Sequence, residues 1–269
     1  MPSPSPPSRS KPLSSAVLLE ADGVTRRFGG VVALDAVSLA VSVGEIFGLI
    51  GPNGAGKTTL FDVLTGLQAA DAGTCRFDGE PLPVGRPHEI VTRGIARTFQ
   101  NIRLFGELSV LDNVLAGLHA CMRSSLLATL VGTANARKQA DEAREKAMLA
   151  LHEVGLGDRA DAVARHLSYG EQRRLEIARA LVSAPRLLAL DEPAAGMNRV
   201  ETDALRTLIE RIRARGITVL LIEHDMHLVM RLCDRIAVLD SGRNIALGRP
   251  EEVRRDPHVI EAYLGGGRT

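Results

Sequence analysis

Short, mostly apolar segments alternate along the chain with segments in which apolar residues recur every three or four positions. The segments Glu45–Ile50, Leu187–Leu190 and Ile217–Glu223 are typical of strands buried on both faces of a parallel sheet. After the first of them, Lys57–Leu67 places apolar side chains at helical spacing and predicts an amphipathic helix. Strands that alternate with helices in this way predict an α/β fold.

Further strands are predicted towards both ends of the chain. The sequences AVLLEADGV and VVALDAVSLAV precede the first buried strand, and AGTCRFDGEPL, which is punctuated by glycine, follows the helix. Near the carboxyl end, RIAVLDSGRNIALG predicts a β-hairpin that turns at Ser241–Gly242. A short helix that begins with proline is expected after Gly248.

The middle of the chain, from Asn101 to about Arg165, has a helical pattern. Asn135–Leu156 predicts a helix with Glu142 and Lys146 paired four residues apart. Its apolar face consists of Ala136, Ala140, Ala143, Ala147, Leu151 and Val154. We therefore expect a helical subdomain at about residues 101–166, inside one domain that spans residues 16–269.

The first fifteen residues and the overall composition narrow the class of protein. Residues 1–15 are rich in Pro and Ser, contain no apolar segment of a secretory signal, and predict a disordered tail. No run of about 18 apolar residues predicts a membrane span. The net charge is +1, from 33 basic and 32 acidic residues, and aromatic residues make up 3% of the chain. This balance predicts that nucleic acid is not a partner.

The sequence GPNGAGKT at Gly51–Thr58 fits the phosphate-binding pattern G-x-x-x-x-G-K-[ST]. It stands between a predicted strand and a predicted helix, where backbone N–H groups and the helix N-terminus favour phosphate. Lys57 is expected to reach the β- and γ-phosphates and Thr58 to ligate Mg²⁺. The candidate ATP-binding residues of this segment are Gly51, Asn53, Gly54, Gly56, Lys57, Thr58 and Thr59.

Two neighbouring acids end the strand in RLLALDEP. Because ligands of open α/β sheets bind at the carboxyl ends of the strands, Asp191 and Glu192 are expected beside the phosphates. We predict that Asp191 holds Mg²⁺ through water and that Glu192 polarises the water that attacks the γ-phosphate.

The segment Leu167–Leu181, LSYGEQRRLEIARAL, predicts a well-capped helix. Ser168 is a favourable N-cap, and Glu171 three residues later completes a capping box. Standing shortly before LLALDEP, the segment resembles the L-S-G-G-Q signature of ABC-transporter ATPases. Tyr169 replaces the first glycine and Glu171 stands where the glutamine is usual, whereas Ser168 and Gly170 keep the residues expected to contact phosphate.

The resemblance to ABC-transporter ATPases implies roles for further residues. It implies a P-loop core with an antiparallel β subdomain and a helical signature subdomain, which binds ATP and Mg²⁺. Gln100, in the Q-loop segment RTFQN, matches the family's Q-loop glutamine, which is a Mg²⁺ ligand and catalytic residue. His224 matches the catalytic switch histidine, and Phe28 matches the aromatic residue that stacks on adenine. Asn198 stands where many members have Asp.

The same resemblance implies partners. The signature of one subunit, at Ser168 and Gly170, faces the phosphate loop of a second ATPase subunit, identical or related. Integral membrane permeases would dock on the pair at the cytoplasmic face of the bacterial inner membrane, with a periplasmic binding protein acting indirectly. For Leu104 and Phe105, next to Arg103, two possibilities stay open: a permease-docking patch and a place in the core.

Several segments resemble one ATPase subunit of branched-chain amino-acid importers. They are Gly94–Gly117, the long helical stretch after it, Leu190–Asn198, Ile222–Ile236 and Ala262–Gly265. Related ATPases that import urea or short amides remain alternatives, as does the lipopolysaccharide-export type. Soluble ABC proteins of DNA repair, translation or iron–sulfur assembly are a further class, but the chain has one ATPase core and no long heptad run.

Overall fold

A mainly parallel sheet forms the centre of the computed structural model, which describes residues 16–118 and 134–265. Within these residues the sheet has six strands in the order β10-β9-β3-β8-β7-β6. Neighbouring strands from β9 to β6 are parallel, and β10 pairs with β9 in an antiparallel hairpin. The strands are β3 (Ile46–Ile50), β6 (Ile95–Arg97), β7 (Leu187–Asp191), β8 (Thr218–Ile222), β9 (Arg235–Asp240) and β10 (Arg243–Gly248).

A second sheet is antiparallel and has the order β2-β1-β4-β5. Its strands are β1 (Val17–Phe28), β2 (Val31–Ser42), β4 (Ala72–Phe77) and β5 (Glu80–Pro81). The predicted α/β fold with an antiparallel β subdomain is therefore confirmed. The predicted hairpin at Ser241–Gly242 is also confirmed, because both residues have positive φ angles, 47° and 78°, as a two-residue type I′ turn requires.

Helices pack on both faces of the central sheet. None of those in the described residues is both long and apolar enough to cross a membrane. They are α1 (Lys57–Leu64), α2 (Pro87–Thr92), α3 (Val110–Leu118), α4 (Ala134–Glu153), α5 (Tyr169–Leu181), α6 (Arg199–Ala214), α7 (Met226–Leu232), α8 (Pro250–Val253) and α9 (Pro257–Gly265).

The side chains of the central strands alternate between two apolar clusters. In β3, Ile46 and Ile50 join the cluster formed with helices α3 to α7, whereas Phe47 and Leu49 join the cluster formed with α1 and the antiparallel sheet. Strands β3, β7 and β8 are buried along their whole length. Burial on both faces explains why these strands are continuous apolar runs in the sequence rather than alternating ones.

Besides the turn after β9, the parallel pairing brings four loops that carry predicted site residues to one edge of the sheet. Because β3, β6, β7 and β8 run in the same direction, the segments that follow them emerge side by side. The first is the loop before α1; the others begin with Thr98, Glu192 and Glu223. The predicted site residues after these four strands therefore share one edge.

The helix predicted to reach Leu67 ends three residues earlier. After Leu64, the Leu67 N–H donates to the Asp62 carbonyl at 2.8 Å and the Gly66 N–H to the Val63 carbonyl at 3.1 Å. This is a Schellman end, with Gly66 at a φ of 70°. Leu67 is consequently exposed and not part of the apolar helix face, so this part of the prediction was wrong.

The middle of the chain differs from its prediction in three details. Residues 101–109 form no helix, and α3 begins only at Val110. The apolar face of α4 is fully buried only from Ala147 onwards; Ala140 is exposed and the side chain of Ala136 lies outside the described residues. Glu142 pairs with Lys138, 4.0 Å away, instead of Lys146.

Strand β6 was not predicted, because its three residues are too few to show a hydrophobic pattern.

The remaining domain limits stay predictions. The tail of residues 1–15 lies outside the described residues. The stretch between β6 and β7 contains helices α3, α4 and α5, so its helical character agrees with a subdomain at about residues 101–166.

Replacing Gly66 with alanine should destabilise the protein more than the same change at Gly79. Both glycines have positive φ, 70° and 79°, which costs about 1–2 kcal/mol for alanine. A Cβ on Gly66 would also lie 2.7 Å from the Pro83 carbonyl oxygen and collide with Ile90, whereas nothing lies within 4 Å of one on Gly79. Urea unfolding should give an additional loss of about 1–3 kcal/mol for Gly66→Ala. Equal losses would contradict the packing seen around Gly66.

Candidate nucleotide-binding site

The loop between β3 and α1 surrounds its own lysine. The Lys57 Nζ donates to the carbonyl oxygens of Gly51 and Pro52, at 2.8 and 2.9 Å. Burial lowers the pKa of Lys57, against the opposing effect of the Glu192 charge. The ammonium group thus lies inside the loop with two backbone carbonyls as its partners, which phosphate oxygens can replace. Asn53, Gly54 and Thr58 are exposed along the loop, and Thr59 is half-buried.

Two hairpins brace this loop from the side. Gly56, the N-cap of α1, has a φ of 95°, and a Cβ there would lie 2.5 Å from the Ala33 carbonyl oxygen of β2. The turn between β9 and β10 contacts the same place, because the Gly242 N–H donates to the Ala55 carbonyl at 3.1 Å. Only glycine at position 56 allows β2 to approach so closely.

Phe28 lies at the end of β1, on the hairpin whose second strand touches the phosphate loop. Its side chain is 45% exposed, and the Arg26 guanidinium lies 4.9 Å from the ring centroid. The exposed ring surface could carry a planar base, as expected for the adenine contact.

The Asp191 carboxylate ends β7 and is buried against an arginine. Arg97 Nη2 lies 3.2 Å from Asp191 Oδ2, and Arg97 Nη1 lies 2.6 Å from Asp62 Oδ1. Burial raises the pKa of Asp191, and Arg97 opposes that shift. Sequence reasoning did not assign a role to Arg97, although it lies within RTFQN; only the parallel pairing of β6 with β7 places it beside the acid.

Three predicted catalytic residues meet at the Glu192 carboxylate. Gln100 Nε2 donates to Glu192 Oε2 at 3.0 Å, and His224 Nδ1 lies 3.8 Å from the same oxygen. Glu192 has a φ of 45°, which is strained for a residue with a side chain, and its N–H donates to the Ile222 carbonyl at 3.0 Å. Such strain is typical of functional positions.

The residues proposed to hold a magnesium ion supply suitable donors. Thr58 offers a hydroxyl, Asp191 a carboxylate and Gln100 an amide oxygen, since the amide nitrogen is engaged with Glu192. Oxygen atoms of this kind are the ligands that Mg²⁺ prefers, together with phosphate oxygens and water. The residues present therefore fit the ion.

Helix α5, which follows Ser168 and contains Gly170 and is called the signature helix below, begins as predicted. The Glu171 N–H donates to Ser168 Oγ at 3.4 Å and the Ser168 N–H to Glu171 Oε2 at 2.9 Å, which confirms the capping box. A Cβ on Gly170 would lie 3.0 Å from Glu201 Oε1 of α6. Among the described residues, no hydrogen bond joins Ser168 or Gly170 to the loop of Lys57.

Local packing accounts for two residues that differ from the usual ones, Tyr169 in the signature and Asn198 after β7. The Tyr169 ring packs over Gly196, whose added Cβ would lie 3.3 Å from it. The Asn198 side chain caps α6 by accepting the N–H groups of Val200 and Glu201, at 2.9 and 3.1 Å.

A buried ion pair ties the signature helix to the Q-loop. Arg173 Nη1 lies 2.9 Å from Glu176 Oε2, and neither residue is more than 1% exposed. Arg173 also donates to the carbonyls of Phe99, at 2.6 Å, and Gln100, and the Phe99 N–H donates to Glu176 Oε1 at 3.3 Å. Neither residue was singled out from the sequence, because a charge pair on a helix is more often exposed.

The structure separates the two neighbours Leu104 and Phe105. Leu104 is partly buried and packs on the core, whereas Phe105 is 55% exposed. The buried Asn113 holds the Phe105 backbone, accepting its N–H at 2.8 Å and donating to its carbonyl at 3.0 Å. One residue of the predicted patch thus belongs to the core and the other to the surface.

Comparison with known proteins places the chain among transport ATPases. The ABC transporter family model matches residues 34–195, and the model described as branched-chain amino acid ATP-binding cassette transporter matches residues 243–269. The chain is 47% identical over 252 residues to the high-affinity branched-chain amino acid transport ATP-binding protein BraF of Pseudomonas aeruginosa. It is 45% identical to the similarly named LivG of Escherichia coli K12; both alignments cover 93% of this chain and 99% of the relative.

A more distant relative and a solved structure extend the comparison. The lipopolysaccharide export system ATP-binding protein LptB of Escherichia coli K12 is 36% identical, covering 92% of this chain and 97% of LptB. The crystal structure of the ADP conformation of an ABC-transporter ATP-binding cassette superimposes with a TM-score of 0.82 at 34% identity. This match covers 93% of this chain and all of the other.

Removing Arg173 should cost far more stability than removing the half-buried Arg206. Among the described residues, Arg173→Met leaves Glu176 buried with Arg179, at 3.9 Å, as its remaining cationic partner, so we expect a loss of about 3 kcal/mol in urea unfolding. Arg206→Met breaks the partly exposed pairs with Glu210 and Asp203 and should cost less than about 1 kcal/mol. The double variant Arg173→Met, Glu176→Leu should be more stable than Arg173→Met alone; a further loss would contradict the buried pair.

Proposed function

The chain belongs to the ABC transporter family, and we propose that it hydrolyses ATP to power the uptake of branched-chain amino acids through separate membrane permeases. The observation that carries this proposal is the identity of 45–47%, over nearly the full length, to ATP-binding proteins of branched-chain amino acid transport. The match of residues 243–269 to the branched-chain family model supports it independently of the ATPase motifs.

Two alternatives concern the cargo and not the ATPase activity. Import of urea or short amides by the same type of ATPase is one. A lipopolysaccharide-export role is the other, and it is less favoured because the relative with that function is only 36% identical.

In this proposal Lys57 and Phe28 bind the nucleotide, and residues at the strand ends carry out its hydrolysis. Lys57 exchanges its backbone carbonyl partners for phosphate oxygens, and Phe28 stacks on the adenine. Glu192 accepts a proton from the attacking water, while Gln100 and His224 hold its carboxylate in place. A Mg²⁺ ion held by Thr58, Asp191 and Gln100 would neutralise negative charge on the β- and γ-phosphates.

The complete site is proposed to need two ATPase subunits. Gly170 lies against Glu201 of α6 in this chain, while Ser168 is exposed at the N-terminal end of α5, where backbone N–H groups and the helix dipole favour an anion. A second subunit, identical or related, would present its phosphate loop with ATP to this helix end. ATP then joins the two subunits, and hydrolysis releases them.

The permeases are proposed to dock near the Q-loop. Phe105 is exposed, two residues after Arg103. The Arg103 guanidinium lies 4.3 Å from the ring centroid of Phe99, which directly precedes Gln100. The proposed docking surface therefore adjoins the Q-loop. Docking there would place the subunit on the cytoplasmic face of the inner membrane, with a periplasmic binding protein acting only through the permeases.

Glu192→Gln should keep ATP binding and abolish turnover. The amide preserves the shape of the side chain but cannot accept the proton of the attacking water, so kcat should fall at least about 100-fold. Phosphate release measures the turnover and a fluorescent nucleotide measures the affinity. Glu210→Gln, at an exposed carboxylate of α6, is the control. Steady hydrolysis by Glu192→Gln would disprove its role as general base.

Cells that carry Lys57→Ala should lose uptake of labelled leucine, since the phosphates lose their ammonium partner. Labelled urea tests the alternative cargo, and Lys138→Ala, at an exposed lysine of α4, is the control. Loss of urea uptake alone would leave the assignment of the ATP site intact and would identify urea as the cargo instead. Unchanged uptake of both would mean that the partners were wrongly inferred.

A further inference from the structure

Glu223 is a fully buried carboxylate whose two oxygens face two different loops. Its side chain is 0% exposed at the end of β8. Oε1 accepts the N–H of Ala194, in the loop after β7, at 2.8 Å, and Oε2 accepts the N–H of His224 at 3.1 Å. Among the described residues, His224 is the basic side chain within 4.0 Å, with its Nδ1 3.9 Å from Oε2, so the backbone N–H groups carry most of the interaction.

Keeping a carboxylate in this place has a cost. Burial raises the pKa of Glu223, and the backbone N–H groups of Ala194, His224 and Asp225 oppose the shift. A carboxylate accepts hydrogen bonds at both oxygens, whereas an amide of the same shape would turn an NH₂ group towards one of the donors. The acid is therefore the side chain that can hold both loops at once.

The connection that Glu223 makes begins where the pairing of β7 and β8 ends. Strands β7 and β8 pair up to Asp191 and Ile222, and the Glu192 N–H still donates to the Ile222 carbonyl at 3.0 Å. Beyond that point the Glu223 side chain continues the connection to Ala194, two residues after Glu192. The strained backbone of Glu192, with its φ of 45°, is thus held on one side by the ladder and on the other by Glu223.

From this geometry we propose that Glu223 is a positioning residue for ATP hydrolysis. It fixes the loop of Glu192 and the loop of His224 relative to each other, so that the Glu192 carboxylate keeps its contacts with Gln100 and His224. Glu223 itself touches neither nucleotide nor water in this role. The inference rests on the proposed ATPase activity.

Glu45 supplies a matched control at the opposite end of the same sheet. It directly precedes β3, is buried, and accepts the Ser42 N–H at 2.7 Å. Burial raises its pKa as it does that of Glu223, and Arg235 lies 3.5 Å away. Glu45→Gln therefore removes a buried, hydrogen-bonded carboxylate without touching the site.

The test compares Glu223→Gln, Glu45→Gln and Glu192→Gln in the purified full chain. Melting temperature, ATP affinity and steady-state phosphate release are measured for each. We expect Glu223→Gln to lower kcat between about 10- and 100-fold, with the affinity for ATP changed less than about twofold. Glu45→Gln should lower the melting temperature similarly but leave kcat within about twofold. Adding Glu223→Gln to Glu192→Gln should lower the residual rate little further, because both act through one carboxylate.

Glu223→Asp serves as a second variant should the amide prevent folding. It keeps the charge but withdraws the oxygens by one methylene, so it cannot reach both loops, and kcat should again fall at unchanged ATP affinity. A kcat near that of the wild type for either folded variant, or an equal loss in Glu45→Gln, would overturn the positioning role while Glu192→Gln stays inactive. A wild-type chain without ATP-dependent phosphate release would overturn the proposed function and the inference together.

Discussion

The parallel pairing of β3, β6, β7 and β8 is the constraint on which the site depends. Parallel strands that are buried on both faces end at a common edge, and most of the predicted site residues follow one of these ends, whereas Phe28, Ser168 and Gly170 lie outside them. The phosphate loop, Gln100, Glu192 and His224 are separated by up to 173 positions in the sequence, yet the sheet makes their loops neighbours. The apolar clusters on the two faces fix that sheet, and so fix the spacing of the loops.

One buried side-chain network extends this order beyond the sheet. Arg173 and Glu176 join the signature helix to the backbone of Phe99 and Gln100, so the Q-loop and the signature helix share one buried polar network. A change at the Q-loop, where Gln100 contacts Glu192, therefore has a direct physical route to the helix that we propose meets the second subunit.

The charged groups at the carboxyl ends of the central strands lower the stability of the fold. Asp191 and Glu223 are buried acids whose pKa values burial raises, Lys57 is a buried ammonium whose pKa burial lowers, and Glu192 has a strained backbone. Burying a charged group costs desolvation free energy that an apolar residue would not cost, and the positive φ of Glu192 adds backbone strain. The grouping of these features at one edge is typical of a catalytic site, where charged groups must be held ready for a substrate.

The sequence by itself determined the features that depend on neighbours along the chain. The phosphate loop between strand and helix, the capping box of Ser168 and Glu171, and the turn at Ser241–Gly242 follow from local backbone chemistry, and the structure has all three. Only the tertiary structure decided the contacts made across the sheet: Arg97 beside Asp191, Glu223 between two loops, and Leu104 in the core with Phe105 outside. These depend on which strands pair and which faces are covered, and no short stretch of sequence contains that information, because the partners are far apart along the chain.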